Sequence, residues 1–129
     1  MKLKLQDPQL LRTCAYIDGQ WAEAADGASF EVNNPATGER IADVADLGAQ
    51  HTNEAIAAAE RAMIDWRQRP AKERSQLLRR WYDQVMVNQD DLALLMTVEQ
   101  GKVLRESMAE VAYGASFIEW FAEEAKRIY

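Results

Sequence analysis

The sequence predicts an α+β chain: short N-terminal strands and hairpins followed by four helices. Three observations carry that expectation. Between residues 14 and 47, turn-forming pairs such as Asp18-Gly19 and Asp26-Gly27 recur between short apolar runs, as small hairpins require. From residue 48 onward the apolar positions switch to steps of three and four, the helical period. Pro70, Asn88 and Gly101 punctuate that stretch at spacings that suit helix ends. The expected organisation is an N-terminal arm over 1–13, a strand and hairpin segment over 14–47, and a helical segment over 48–129.

In the first segment, Tyr16-Ile17-Asp18-Gly19-Gln20-Trp21 sets an Asp-Gly pair between apolar flanks and predicts a tight hairpin. Phe30 and Val32 alternate with polar neighbours as a half-buried strand. A turn is expected over Asn34-Pro35-Ala36-Thr37-Gly38-Glu39, with Ile41 to Val44 running back as the next strand. The first helix is expected from Ala49 to about Arg67, buried along Ile56, Ala59, Met63 and Trp66, with Ala55, Ala58 and Ala62 allowing close packing. Pro70 suits the first position of a second helix, whose buried stripe is Leu77, Leu78, Trp81 and Val85. Asn88, Asp90 and Asp91 are expected to open a third helix with Leu92, Leu95 and Met96 inward, ended by Gly101. The fourth, from Val103 to the end, has an inner stripe of Leu104, Met108, Val111, Ala115, Ile118, Ala122 and Ala125. It carries a second apolar face of Tyr113, Phe117, Trp120 and Phe121. A surface helix needs only one, so part of that face is expected to meet a domain outside these residues. No capping residue follows Lys126, Arg127, Ile128 and Tyr129, so the chain reads as a piece of a larger protein.

Composition narrows the function classes. At 129 residues, 48% hydrophobic and 28% charged, the chain is long enough for one globular domain. A net charge of −6 argues against a nucleic-acid or anionic-membrane partner. A single cysteine allows no internal disulfide, so a reducing cytoplasm is the expected compartment. No apolar run suits a signal peptide or a membrane span.

No reaction centre is legible from residue chemistry. Cys14, the only thiol, has Arg12 near it but no evident base, and reads as a structural cysteine in a strand. His51 is the only histidine, so no metal ligand set forms around it; a solvated or capping role is expected. Glu106, Glu110, Glu119, Glu123 and Glu124 read as a solvated helix face, Glu123 pairing with Arg127. The glycines form neither a dinucleotide loop nor a P-loop. On the residues alone, the alternative to an enzyme is a stand-alone helical interaction module that docks through Phe117, Trp120 and Phe121.

Taken in order, five elements resemble the N-terminal segment of the NAD(P)-dependent aldehyde dehydrogenase family. They are Tyr16-Ile17-Asp18-Gly19-Gln20-Trp21, Asn34-Pro35-Ala36-Thr37-Gly38-Glu39, the alanine-rich helix reaching Ala62 and Trp66, the stretch with Lys72, Glu73, Arg74, Leu77 and Leu78, and Glu99-Gln100-Gly101-Lys102. Val103 departs from the proline often found after Gly-Lys. The run Ala115 to Glu124, followed by Lys126-Arg127-Ile128-Tyr129, is similar to the succinate-semialdehyde dehydrogenase branch.

The resemblance implies the N-terminal part of the aldehyde dehydrogenase fold, α/β in the parent. The parent would be a homo-oligomer using NAD or NADP to oxidise a small aldehyde, succinate semialdehyde to succinate. The family mechanism runs through thiolate attack, hydride transfer and thioester hydrolysis. The catalytic and cofactor-binding residues lie beyond the point matching Tyr129, so none is assigned in this chain. Taken alone it is expected to be inactive, to hold no cofactor or metal, and to have the remainder of the parent as partner. The resemblance places the last helix near the substrate entrance, with Glu110, Tyr113 and Phe117 as candidate lining residues.

Overall fold

The computed structural model describes residues 3–127. Met1 and Lys2 of the arm, and Ile128 and Tyr129 of the final motif, lie outside the described residues. Two antiparallel strand pairs precede four helices. β1 (Ala15–Ile17) pairs with β2 (Gln20–Ala22), Ile17 opposite Gln20. The intervening Asp18 and Gly19 take φ of 50° and 80°. Positive φ at both central residues is the type I′ geometry that matches the twist of a two-residue hairpin. Trp21 meets Tyr16 with ring centroids 5.1 Å apart and planes tilted by 54°, and the Arg12 guanidinium covers it at 4.6 Å.

β3 (Ser29–Asn33) pairs with β4 (Arg40–Ala45), with an irregularity at Val32/Asn33. The connecting turn is organised by buried Asn34. Its Oδ1 accepts from the Ala36 amide at 2.9 Å, and its carbonyl accepts from the Gly38 amide at 2.7 Å. Phe30, expected half-buried, is exposed, because only Val32 of this strand turns inward.

The helices are α1 (Ala49–Gln68), α2 (Ala71–Val87), α3 (Gln89–Gln100) and α4 (Leu104–Glu124), the last tightening into a 3-10 turn over Ala125–Arg127. α4 packs against α2 and α3. The core is made of small residues, with Ala93, Val98, Val111, Ala115 and Ala122 all buried. Ser107 is fully buried, its hydroxyl paired with that of Thr97 at 2.8 Å. The expected inner stripe of α4 is turned inward from Met108 to Ala125, but Leu104 at the helix start is exposed.

Several helix faces differ from the sequence expectation. α1 packs lightly, touching β1. It turns Ala55 and Ala58 inward while Ile56, Ala59, Ala62 and Met63 are exposed. On α2 the inward residues are Ser75, Leu78, Tyr82 and Val85, alongside Leu77. That seam leaves Trp81, about 100° round the helix from Tyr82, exposed. Pro70 stands one position ahead of α2 rather than inside it. Asn88 both closes α2 and opens α3: its carbonyl accepts the Leu92 amide at 3.0 Å, while its side chain serves α2, Nδ2 donating to the Gln84 carbonyl at 2.8 Å. Gly101 ends α3 at φ 71°, its amide donating to the Thr97 carbonyl at 2.9 Å.

Among the described residues, the strand segment and arm are tied to the helices at several points. Arg61 Nη2 reaches Asp18 Oδ2 at 3.0 Å. A Cβ built on Gly101 would stand 3.0 Å from Pro35 Cγ, so the Asn34 turn rests on the end of α3. Asp91, expected as a helix-opening acid, is buried, and its two carboxylate oxygens accept the Gln6 and Asp7 amides at 2.9 and 2.8 Å.

Candidate functional site

The candidate lining residues sit on α4, just after the Gly101 turn. At about 100° per residue, Glu110, Tyr113, Phe117, Trp120 and Phe121 fall within one arc of roughly 100°. That arc is turned away from the Val111, Ala115 and Ala122 seam. Tyr113 and Phe117 meet edge-on with ring centroids 4.9 Å apart. Tyr113 is 66% exposed. Glu110 pairs with the Lys102 ammonium, whose side chain is largely covered. The structure thus brings Tyr113 and Phe117 into contact and gives Glu110 a cationic partner.

Two open grooves flank Phe121. One, about 630 Å³, runs along the outer side of α4 past Phe117 and Trp120, with Glu119, Glu123, Glu124 and Arg127 also lining it. The other, about 510 Å³, lies over Met63, Trp66 and Leu78, with Arg67, Arg74 and Glu124 also lining it. The aromatic face is therefore not covered by the other helices.

The predicted Glu123–Arg127 pair does not form. Lys126 pairs with Glu123, and Arg127 Nη1 reaches Glu124 Oε1 at 3.3 Å. The 3-10 turn has three residues per turn, so it aligns side chains three apart instead of four. The hydrogen bond and charge of Lys126 hold the Glu123 carboxyl below its ordinary value. A lowered pKa stabilises the fold above the ordinary carboxylate value and loses that contribution as pH falls through the lowered one. In a carboxyl-detected NMR titration Glu123 should titrate below the ordinary glutamate value, and its midpoint should rise in Lys126→Ala. An unchanged Glu123 curve in that variant would disprove the pairing.

Cys14 lies just before β1 in a shallow depression lined by residues including Thr13, Glu23, Ala24 and Ala45, with no imidazole among them. His51 is half-buried rather than solvated or capping, its Nδ1 buried without a hydrogen-bond partner among the described residues. Among those residues no group of three or more His, Cys, Asp or Glu could hold a metal ion, and no helix is long and apolar enough to cross a membrane. The Asp91 latch escaped the sequence reading because nothing in a lone aspartate signals a partner 85 positions away.

Antiparallel hairpins ahead of four helices, with the Asn34 turn resting on Gly101, follow the order of elements on which the aldehyde dehydrogenase resemblance rests. The chain matches the aldehyde dehydrogenase family over residues 21–129 and belongs to that family. Among curated relatives, it is 56% identical over 127 residues to the glutarate-semialdehyde dehydrogenase of Pseudomonas aeruginosa, covering 98% of this chain and 26% of that one. It is 52% identical to the NADP(+) succinate-semialdehyde dehydrogenase of Escherichia coli, with the same coverage. The crystal structure of succinate-semialdehyde dehydrogenase from Burkholderia pseudomallei superposes with a TM-score of 0.93 at 55% identity, covering 97% of this chain and 26% of that one. The chain thus spans about a quarter of the length of these relatives.

The residues present do not by themselves fit a nicotinamide dinucleotide. Both described sheets are two-stranded and antiparallel. A pyrophosphate is held where a parallel strand feeds a helix through a glycine-rich turn. Gly19 and Gly38 serve hairpin connections and Gly101 a helix end.

Proposed function

We propose that these residues form the N-terminal part of an NAD(P)-dependent semialdehyde dehydrogenase, and that the whole protein oxidises succinate semialdehyde to succinate. The 129-residue chain alone neither turns over substrate nor binds the nucleotide tightly. The observation that carries this reading is the match of 98% of the chain, at 52–56% identity, to semialdehyde dehydrogenases about four times as long. Its partner is the remainder of the enzyme, which is a homo-oligomer located in the cytoplasm.

The test is capture of the native protein from its source cells with an antibody to this segment, followed by intact mass and assay. A mass several-fold above 14.6 kDa, with NAD(P)⁺-dependent oxidation of succinate semialdehyde, is expected. A 14.6 kDa species without activity would overturn the reading. Glutarate semialdehyde turned over more efficiently than the succinate homologue would move the substrate assignment by one methylene.

In the whole enzyme we assign Glu110, Tyr113 and Phe117 to the substrate entrance. Their shared exposed face, and the Lys102 partner that fixes Glu110, support this. Tyr113→Ala should raise KM for the aldehyde at least fivefold and leave KM for the nucleotide within twofold. Equal changes in both would remove Tyr113 from the entrance.

A further inference from the structure

The Lys102–Glu110 pair differs from the other ion pairs of α4. Glu123 and Glu124 pair with Lys126 and Arg127 three positions on, and Glu119 pairs with Arg79, whose side chain is about half exposed. Such pairs make an ordinary solvated helix face. Lys102 instead comes from the connection 101–103 ahead of α4, eight positions from Glu110. Its side chain is only 18% exposed, against 52% for Glu110. The connection is itself fixed, because the Gly101 amide donates to the Thr97 carbonyl and Gly101 is seated against Pro35. A largely covered ammonium is thus presented to a carboxylate that shares a face with Tyr113 and Phe117. Arg105 and Glu106, exposed one turn earlier, bring one charge of each sign, so the balance at Glu110 decides the local charge.

We propose that Lys102 is a specificity-determining residue of the entrance assigned above, and this rests on that reading. By cancelling the Glu110 charge it keeps the entrance from repelling an aldehyde that carries a carboxylate of its own. The semialdehyde of a dicarboxylic acid bears that charge at neutral pH. Its reacting carbon enters first, which leaves the carboxylate end trailing at the entrance. A bare Glu110 about 8 Å from that trailing group would weaken binding roughly twofold to thirtyfold, between the dielectric of bulk water and that of a protein surface. A neutral aldehyde feels none of this repulsion. Lys102 acts through Glu110 and is a positioning residue in that sense.

The test is a ratio measured on the whole enzyme: kcat/KM for succinate semialdehyde over kcat/KM for pentanal, an uncharged aldehyde of similar length. Lys102→Met, which keeps an apolar stem in the covered site, should lower the ratio about threefold or more at low ionic strength. That loss should shrink by about half or more in roughly 0.5 M salt, because the repulsion is screened. Lys102→Arg keeps the charge and should hold the ratio within about twofold of the unmodified enzyme. Adding Glu110→Gln to Lys102→Met should restore the ratio, since both charges are then gone. A purely structural Lys102 would lower both efficiencies together, and an unchanged ratio in Lys102→Met overturns the proposal. A ratio that stays low in the double variant also overturns it, by making Lys102 a direct contact of the substrate carboxylate. An unmodified enzyme that oxidises pentanal but no semialdehyde overturns the functional reading first, and this inference with it.

Discussion

Asp91→Ala is expected to destabilise the chain by about 3 kcal/mol and to release the N-terminal arm. Both carboxylate oxygens accept backbone amides, from Gln6 at 2.9 Å and Asp7 at 2.8 Å, in a position that is only 6% exposed. Hydrogen bonds to a charged group contribute about 1.5–3 kcal/mol each, and water partly replaces the acceptor once the arm lifts. Asp91→Asn keeps one acceptor oxygen and turns an amino group on the other amide, so about half the loss should remain. Urea unfolding gives the magnitude. Trypsin gives the location, since Lys4 and Arg12 flank the latched residues and should be cut sooner in the variant. A loss under about 1 kcal/mol with unchanged cleavage would mean that the arm is held by other contacts.

Gly101→Ala should cost about 2–5 kcal/mol, for two separable reasons. The backbone there has φ of 71°, a conformation that costs a residue with a Cβ about 1–2 kcal/mol. The new methyl would also stand 3.0 Å from Pro35 Cγ and 3.6 Å from the Ala36 nitrogen, and overpacking of this kind costs about 1–3 kcal/mol. Gly27 separates the two effects, because its φ is 73° but nothing lies within 4 Å of an added Cβ. Gly27→Ala should therefore cost about 1–2 kcal/mol, the conformational part alone. Equal losses for the two variants would show that the Asn34 turn does not rest firmly on α3.

Local chemistry was readable from the sequence, whereas helix phase was less so. The Asp18-Gly19 hairpin, the Asn34 turn and the Gly101 helix end follow from backbone geometry that only a few residue types tolerate. They appeared where the residues placed them. The inner seam of α4 was also legible, because Val111, Ala115 and Ala122 have small side chains that suit close helix packing. Burial on α1 and α2 was not. Apolar spacing marks which residues want cover, while the neighbours present decide which receive it. Ile56, Met63 and Trp81 each remain more than half exposed. Of the candidate site, the shared face of Tyr113 and Phe117 was legible from spacing along one helix. The Lys102–Glu110 pair and the Asp91 latch were not, since both depend on how separate segments meet.

The Asp91 latch also sets how the chain tolerates change in length. Joining residue 91 to residues 6 and 7 closes a loop that contains both hairpins, α1 and α2. The entropy of closing such a loop grows only with the logarithm of its length, so doubling it costs about 0.6 kcal/mol. Insertions at the exposed connections inside it, around Gly27 or between α1 and α2, should leave the grip on the arm nearly unchanged. A single substitution at Asp91 removes a grip that many added residues would barely weaken.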